Sequence, residues 1–258
     1  TLKWGGDVRV YQDVGLAVGA ASGSYSFNQA FTRGPDPLAT ASVSGHSVAS
    51  FLLGTPSGGS IPKNVGPAFQ NIYYAAYVQD DFRMSSRLTV NLGLRYDYEG
   101  PRTERYNQMT RGFAFNDDNP LQSRVRGLVL KGGLQFASVG GQPRGQTDQG
   151  RLQFAPRLGI AYQLTPKVVI RTGYGIFYAG TTNLGGGTAA SPGFSVSTPM
   201  VNTIDSVTPH HRLSNPFPDG LLNPIGSSQG LLTLVGQGPA FVDVSRPVTY
   251  TQQYTFGI

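Results

Sequence analysis

The sequence predicts an all-β fold, a segment of an antiparallel transmembrane β-barrel with about seven long strands. The first observation is an alternation. Between Arg87 and Glu99, Leu88, Val90, Leu92, Leu94, Tyr96 and Tyr98 take one parity; Thr89, Asn91, Gly93, Arg95, Asp97 and Glu99 take the other. A side-chain period of two is a strand with one apolar and one polar face. The second is length. Soluble strands run about five or six residues, whereas a tilted strand crossing a bilayer needs about 9 to 11. The third is the spacing of connections, which alternate between short and long, as in barrels with tight periplasmic turns and long extracellular loops.

Composition agrees. Charged residues are only 13% of the chain and apolar residues 39%, whereas soluble domains carry about 25% charge. No apolar run approaches the roughly 18 residues of a transmembrane helix. Barrel strands escape hydropathy windows because every second residue is polar. The chain has no cysteine, so neither a disulfide framework nor a thiolate metal site is available. Its +6 charge is scattered among Asp and Glu, which argues against a nucleic-acid partner. It opens at Thr1 with no charged-then-apolar leader, as expected of a mature chain or a piece of a larger one.

Seven strands are expected in order. The first, near 2–12, sets Leu2, Trp4, Val8 and Val10 against Lys3, Asp7 and Arg9. The second, near 16–29, is rich in Gly, Ala and Ser. The third, near 71–83, sets Ile72, Tyr74, Ala76, Val78 and Phe82 against Tyr77, Gln79, Asp81 and Arg83, with Asp80 out of phase. The fourth is the 88–99 alternation. The fifth, 151–164, sets Leu152, Phe154, Leu158, Ile160, Tyr162 and Leu164 against Arg151, Gln153, Arg157 and Gln163. Pro156 removes a ladder donor there, so a bulge or a locally opened pair is expected. The sixth, 167–179, sets Val168, Ile170, Tyr174, Ile176 and Tyr178 against Lys167 and Arg171, and the seventh begins near Val248. Seven is odd where bacterial single-chain barrels are even, so the expectation is a partial barrel spanning 1–258 within a larger one.

Short turns are expected at Asp13–Gly15, Met84–Ser86 and Thr165–Pro166, and long extracellular loops near 30–70, 100–150 and 180–247. On this plan the first strand descends toward the periplasm, and Gly100 and Gly180 lie near the cell exterior. Within the loops, Ser44–Gly54 reads as a short helix ending before Pro56. Hairpins are expected for 125–131 with 133–137 and for 231–235 with 240–244, and a flexible stretch at Gly185–Gly187.

Parity then assigns faces. Tyr77, Gln79, Asp81, Asn91, Arg95, Asp97, Arg157 and Arg171 are candidates for a watery lumen. Phe82, Leu92, Tyr96, Tyr98, Ile160, Tyr162, Tyr174 and Tyr178 are expected to face lipid, with aromatic belts toward both interfaces. An Arg near the midplane of the lipid face costs roughly 2–4 kcal/mol, so slipping three Arg-bearing strands by one residue costs on the order of 6–12 kcal/mol. A soluble β-sandwich alternates too. Strand length, loop alternation and the two belts weigh against it.

No cofactor or catalytic set emerges. His46, His210 and His211 all fall in loops, and adjacent histidines on an extended chain point opposite ways. Ser47 and Ser195 lack a nucleophile-elbow setting. Asn116–Asn119 does not fit a calcium-loop spacing and reads as a solvated turn, and Gly185–Gly187 lacks the Lys-Ser/Thr of a phosphate loop. Arg102, Arg105, Arg111, Arg124, Arg126, Lys131 and Arg144 either meet lipopolysaccharide or an acidic ligand, or only keep their loop soluble.

The stretch YYAAYVQDDFRMSSRLTVNLGLRYDYEGP (73–101) resembles the barrel of TonB-dependent outer-membrane receptors. TLKWGGDVRV, RLQFAPRLGIAYQLTPKVVIRTGYGIFYA and PVTYTQQYTFGI, with the SGSYSFNQAFTRGP…FLLGTPS region, are similar to the Oar-like branch. The resemblance implies a 22-stranded barrel filled by a plug domain, importing a scarce solute with energy passed by TonB. No plug domain and no TonB-contacting segment is visible in 1–258. A non-transporting surface barrel for adhesion or secretion stays open as the other reading.

Overall fold

Alternation of side chains does become strand, and the six long strands join in one antiparallel wall. The computed structural model describes all residues except 16–18, 37, 39–43, 149 and 181–191. In chain order its strands are β1 (Leu2–Val14), β2 (Ser24–Ser26), β3 (Gly58–Asn64), β4 (Ala68–Arg83), β5 (Leu88–Glu99) and β6 (Thr103–Glu104). They continue as β7 (Thr110–Phe113), β8 (Leu134–Phe136), β9 (Phe154–Thr165), β10 (Val168–Tyr178), β11 (Ser195–Pro199) and β12 (Tyr250–Gly257). An α-helix, α1, spans Ser47–Leu52.

The main sheet holds seven strands. Six are long and follow the order β1-β4-β5-β9-β10-β12; short β6 adds on beside β4. Cross-strand partners share a face, and the register keeps most rows chemically consistent, with Asp80 the charged exception between Leu2 and Leu92. Leu2, Leu92, Leu158, Tyr174 and Tyr254 share one row; Lys3, Gln79, Gly93, Arg157, Gly175 and Gln253 share the next, on the other face. The apolar face is uncovered: Leu2, Trp4, Val8, Leu92, Leu94, Tyr254 and Phe256 are all exposed, Trp4 to 80%. A continuous apolar surface of this extent belongs against lipid rather than water. Among the described residues no helix is long and apolar enough to cross a membrane.

The second predicted strand is not in this sheet. Residues 16–18 lie outside the described set, and of the rest only Ser24–Ser26 forms a strand, paired with β3 in a separate three-stranded sheet with β11. A Gly/Ala/Ser run offers lipid no apolar face. Instead of turning at Asp13–Gly15, the chain pairs Val14 with Ala68, and Gly15 donates its N–H to the Pro67 carbonyl at 3.1 Å. This reverses the direction expected of the first strand. Its Leu2 end lies beside Asp80, near the short 84–87 turn, and its Val14 end shares the side of Glu99.

The side bearing the long connections carries its own apolar core. β4 is 16 residues long, more than the roughly 9 to 11 a crossing needs. Its surplus end buries Phe69 with Met109 and Ala137. A second cluster joins Leu134 and Phe136 of β8 to Phe194, with Val65, Phe113 and Leu234 packed around it. The helix expected at Ser44–Gly54 is present as α1; the His46 ring nitrogen accepts from the Val48 N–H at 3.1 Å and caps it. The two loop hairpins are not as expected. β8 pairs with β7 rather than with 125–131, because Gly112 at φ 137 makes a bulge that lets Thr110–Phe113 reach it. The 231–235 segment curls into a turn whose Leu231 backbone rests on Gly133, where a β-carbon has no room. Gly185–Gly187 lies outside the described residues.

Pro156 acts as expected. The β5–β9 ladder runs through it, pairing it with Leu94, but the β9–β10 ladder stops one residue short, at Arg157↔Gly175. A residue without an N–H cannot hold both neighbours.

Candidate functional site

The polar face of the sheet gathers the side chains that alternation singled out. Tyr77 sits opposite Arg95, Gln79 opposite Gly93 beside Arg157, Asp81 opposite Asn91, and Asp97 opposite Ala75. Arg171 joins the same face nearer the short turns, opposite Ala161. Phe82, Leu92, Tyr96, Tyr98, Ile160, Tyr162, Tyr174 and Tyr178 all fall on the opposite, apolar face. Aromatic pairs mark the end that bears the long connections: Tyr96 with Phe154 at 5.1 Å and Tyr178 with Tyr250 at 6.0 Å between ring centroids. Asp80 sits on this apolar face, against the Thr1 ammonium at 3.1 Å.

Toward the end with the long connections the polar face is tightly cross-linked. Arg95 Nε donates to Asp97 Oδ1 at 2.8 Å, and a terminal Arg95 nitrogen donates to the Tyr73 hydroxyl at 2.8 Å. That hydroxyl donates to the same Asp97 oxygen. Residues two apart on a strand share a face, so one guanidinium can span its own strand and its neighbour. Buried Glu99 accepts from Asn71 Nδ2 at 2.5 Å. Lower down, Lys3 meets Asp81 at 2.8 Å, and Gln79 donates to the other Asp81 oxygen at 3.3 Å.

The Tyr73, Arg95, Asp97 and Glu99 cluster borders a recess of about 260 Å³. Its walls include Tyr73, Arg95, Asp97, Glu99, Gln153, Arg157 and Phe177. It lies where the β9–β10 ladder has opened beyond Arg157. Of the eight polar candidates, Arg95, Asp97 and Arg157 reach it; Tyr77 and Gln79 line a smaller recess of about 180 Å³ with the same two arginines. Asp81, Asn91 and Arg171 stand apart, closer to the short turns. Tyr73, Glu99, Gln153 and Phe177 were missing from the candidates. Each has the parity of the arginines, a signal that would have found them.

The loops account for several other residues. Buried Arg111 donates to the Gly145 carbonyl and pairs with Asp148. Arg102 lies 3.5 Å over the Phe69 ring; burial lowers its pKa from the usual value and the Asp13 carboxylate pulls the other way. Arg144 donates to the Glu104 and Arg105 carbonyls, and Lys131 pairs with Asp118 at 3.3 Å. Arg105, Arg124 and Arg126 remain exposed. The His210 and His211 rings do not point apart but stack at 4.4 Å. Their successive N–H groups bond back to the carbonyls of Asn202 and Val201, so the chain there is not extended. Among the described residues no group of three His, Cys, Asp or Glu could hold a metal ion.

No curated protein and no solved structure matches this chain. A family model described as an outer membrane beta barrel domain matches residues 1–258, the whole of it. An uncovered apolar face, an ion-paired polar face and alternating turns and loops are what that family's setting requires. The chain belongs to the outer membrane β-barrel domain family, and its place is the outer membrane of a Gram-negative cell.

Proposed function

We propose that the chain is part of the barrel of a TonB-dependent outer-membrane transporter of the Oar-like branch, taking up a scarce solute. The observation that carries this reading is the polar face itself: a cross-linked wall ending in a recess beneath ordered outer loops. It is supported by the hairpin phrase of 73–101, which forms β4, the 84–87 turn and β5. On this reading the polar face lines a water-filled lumen within a wider, 22-stranded wall, and residues 1–258 form one partial barrel domain. A plug domain and TonB are its partners through the rest of the protein. Outer-membrane lipid surrounds the apolar face, and lipopolysaccharide meets the exposed Arg105, Arg124 and Arg126. The barrel binds and passes its solute without acting as an enzyme, uses no cofactor and contacts no nucleic acid.

The test is in vivo cross-linking of the full-length protein to TonB. Capture of TonB, lost when the segment preceding the plug is deleted, supports transport. Absence of both capture and plug supports the second reading, a surface barrel for adhesion or secretion. One feature favours that alternative: α1 and its C-cap present Val48, Phe51, Leu52 and Leu53 exposed on the outer side.

A further inference from the structure

Arg157 holds a position on the polar face that no acidic side chain shares. Its direct cross-strand neighbours are Gly93 and Gly175, which offer no side chain to meet it. A β-carbon at Gly175 would fall 2.9 Å from the Phe177 ring, so the glycine is what lets that ring lie down. The guanidinium rests over the ring, 4.8 Å from its centroid. Stacking orients the plane and leaves the N–H fork open. Among the described residues the Arg157 side chain makes no ion pair and no hydrogen bond.

The other charges of the recess are already engaged. Asp97 is held by Arg95 and Tyr73, and Glu99 is buried against Asn71. One guanidinium is therefore left facing the recess, immediately beneath the opening at Pro156. We propose that Arg157 is the anion-binding residue of this face and takes the carboxylate of a small solute, with Phe177 as its platform. A planar carboxylate matches the guanidinium fork with two parallel hydrogen bonds. A single negative charge balances the one cation left open; a dianion has to sit beside Asp97 and Glu99. At about 260 Å³ the recess is below the roughly 300–1,000 Å³ that encloses a drug-sized ligand, so it accepts a terminal group. The proposal rests on the reading of the polar face as a water-filled lumen.

The test is calorimetry on the full-length protein folded in detergent, with benzoate as the probe and benzamide and inorganic sulfate as comparisons. Benzoate is expected to bind at least about tenfold more tightly than benzamide or sulfate, and Arg157→Gln to remove about tenfold or more of that affinity. Arg157→Lys keeps the charge but not the fork and recovers only part of it. Phe177→Leu weakens benzoate and leaves the melting temperature in place, which separates binding from folding. Equal binding of benzoate and benzamide, tighter binding of sulfate, or an unaltered Arg157→Gln variant overturns the proposal. Labelling of Arg157→Cys with a charged, water-soluble thiol reagent distinguishes the two levels. If it labels from water while benzoate does not bind, the anion site falls and the lumen stands. If it labels only with a lipid-soluble reagent, both fall.

Discussion

The ring of Tyr77 covers Gly5 on the neighbouring strand so closely that a β-carbon at Gly5 would lie 2.9 Å from the ring. The glycine is a seat, and the aromatic shields backbone that its partner leaves bare. Gly5→Val is expected to destabilise the folded protein by about 1–3 kcal/mol through overpacking. Thermal unfolding in detergent measures it; an unchanged midpoint would mean the ring swings away freely.

Asp97 joins Arg95 and Tyr73, and it is nearly buried at 9% exposure. Removing it leaves a guanidinium and a hydroxyl without their shared acceptor. Asp97→Ala should cost about 2 kcal/mol, and Tyr73→Phe about 1 kcal/mol. A double-mutant cycle on the two checks the coupling, since independent sites would simply add.

The direction of β1 can be settled with thiols, because the chain has no cysteine. Ser123 and Ser47 are exposed in the long connections, and Ser86 in the short turn beside Ser85, whose hydroxyl accepts from the Arg87 and Leu88 N–H groups. In intact cells carrying the full-length protein, Ser123→Cys and Ser47→Cys should react with an impermeant reagent and Ser86→Cys should not. Asp13→Cys, at the exposed Val14 end of β1, should react as well, and its protection would restore a descending first strand.

Leu92 is 54% exposed in the middle of the apolar face. Leu92→Arg should lower stability by roughly 2–4 kcal/mol in a bilayer. Equilibrium unfolding in lipid vesicles gives the number. A neutral result would place Leu92 against water.

Asp205 closes a loop turn by accepting from the Val207 and Thr208 N–H groups and from the Thr203 and Thr208 hydroxyls. Those donors, the Thr208 N–H foremost, hold its carboxyl well below its ordinary pKa of 3.8. A depressed folded-state pKa means the turn is fully held above the ordinary value and loosens only as pH falls below it. Amide exchange at Val207 and Thr208 should therefore show protection at pH 5 that is lost in strong acid. Protection lost between pH 7 and 5 would contradict it.

Much of the wall was legible because lipid on one side and water on the other impose a strict period of two. Arg95, Arg157 and Arg171 could be placed on a face from sequence, and all eight polar candidates share it. The Gly/Ala/Ser run near 16–29 carries no such period, so its fate depended on β3 and β11, far away in the chain. The recess was hidden for a similar reason. Phe177 is an aromatic with polar parity, and its role emerges only where Gly175 and Arg157 come beside it. Loop strands such as β7 and β8 are paired by bulges and packing, which leave little mark on local sequence.

The pairing of Val14 with Ala68 also orders events in time. β4 and β5 meet across a short turn, as do β9 and β10, whereas β1 meets β4 only after the chain has travelled from 15 to 67. Each doubling of loop length adds about 0.6 kcal/mol to closure, so this long excursion costs about 2 kcal/mol more than a four-residue turn. Hairpins close within microseconds, and nonlocal pairings lag behind them. During assembly one flank of β4 therefore waits bare for its partner, and that interval is when a folding chaperone or insertion machine has an unmated strand to grasp.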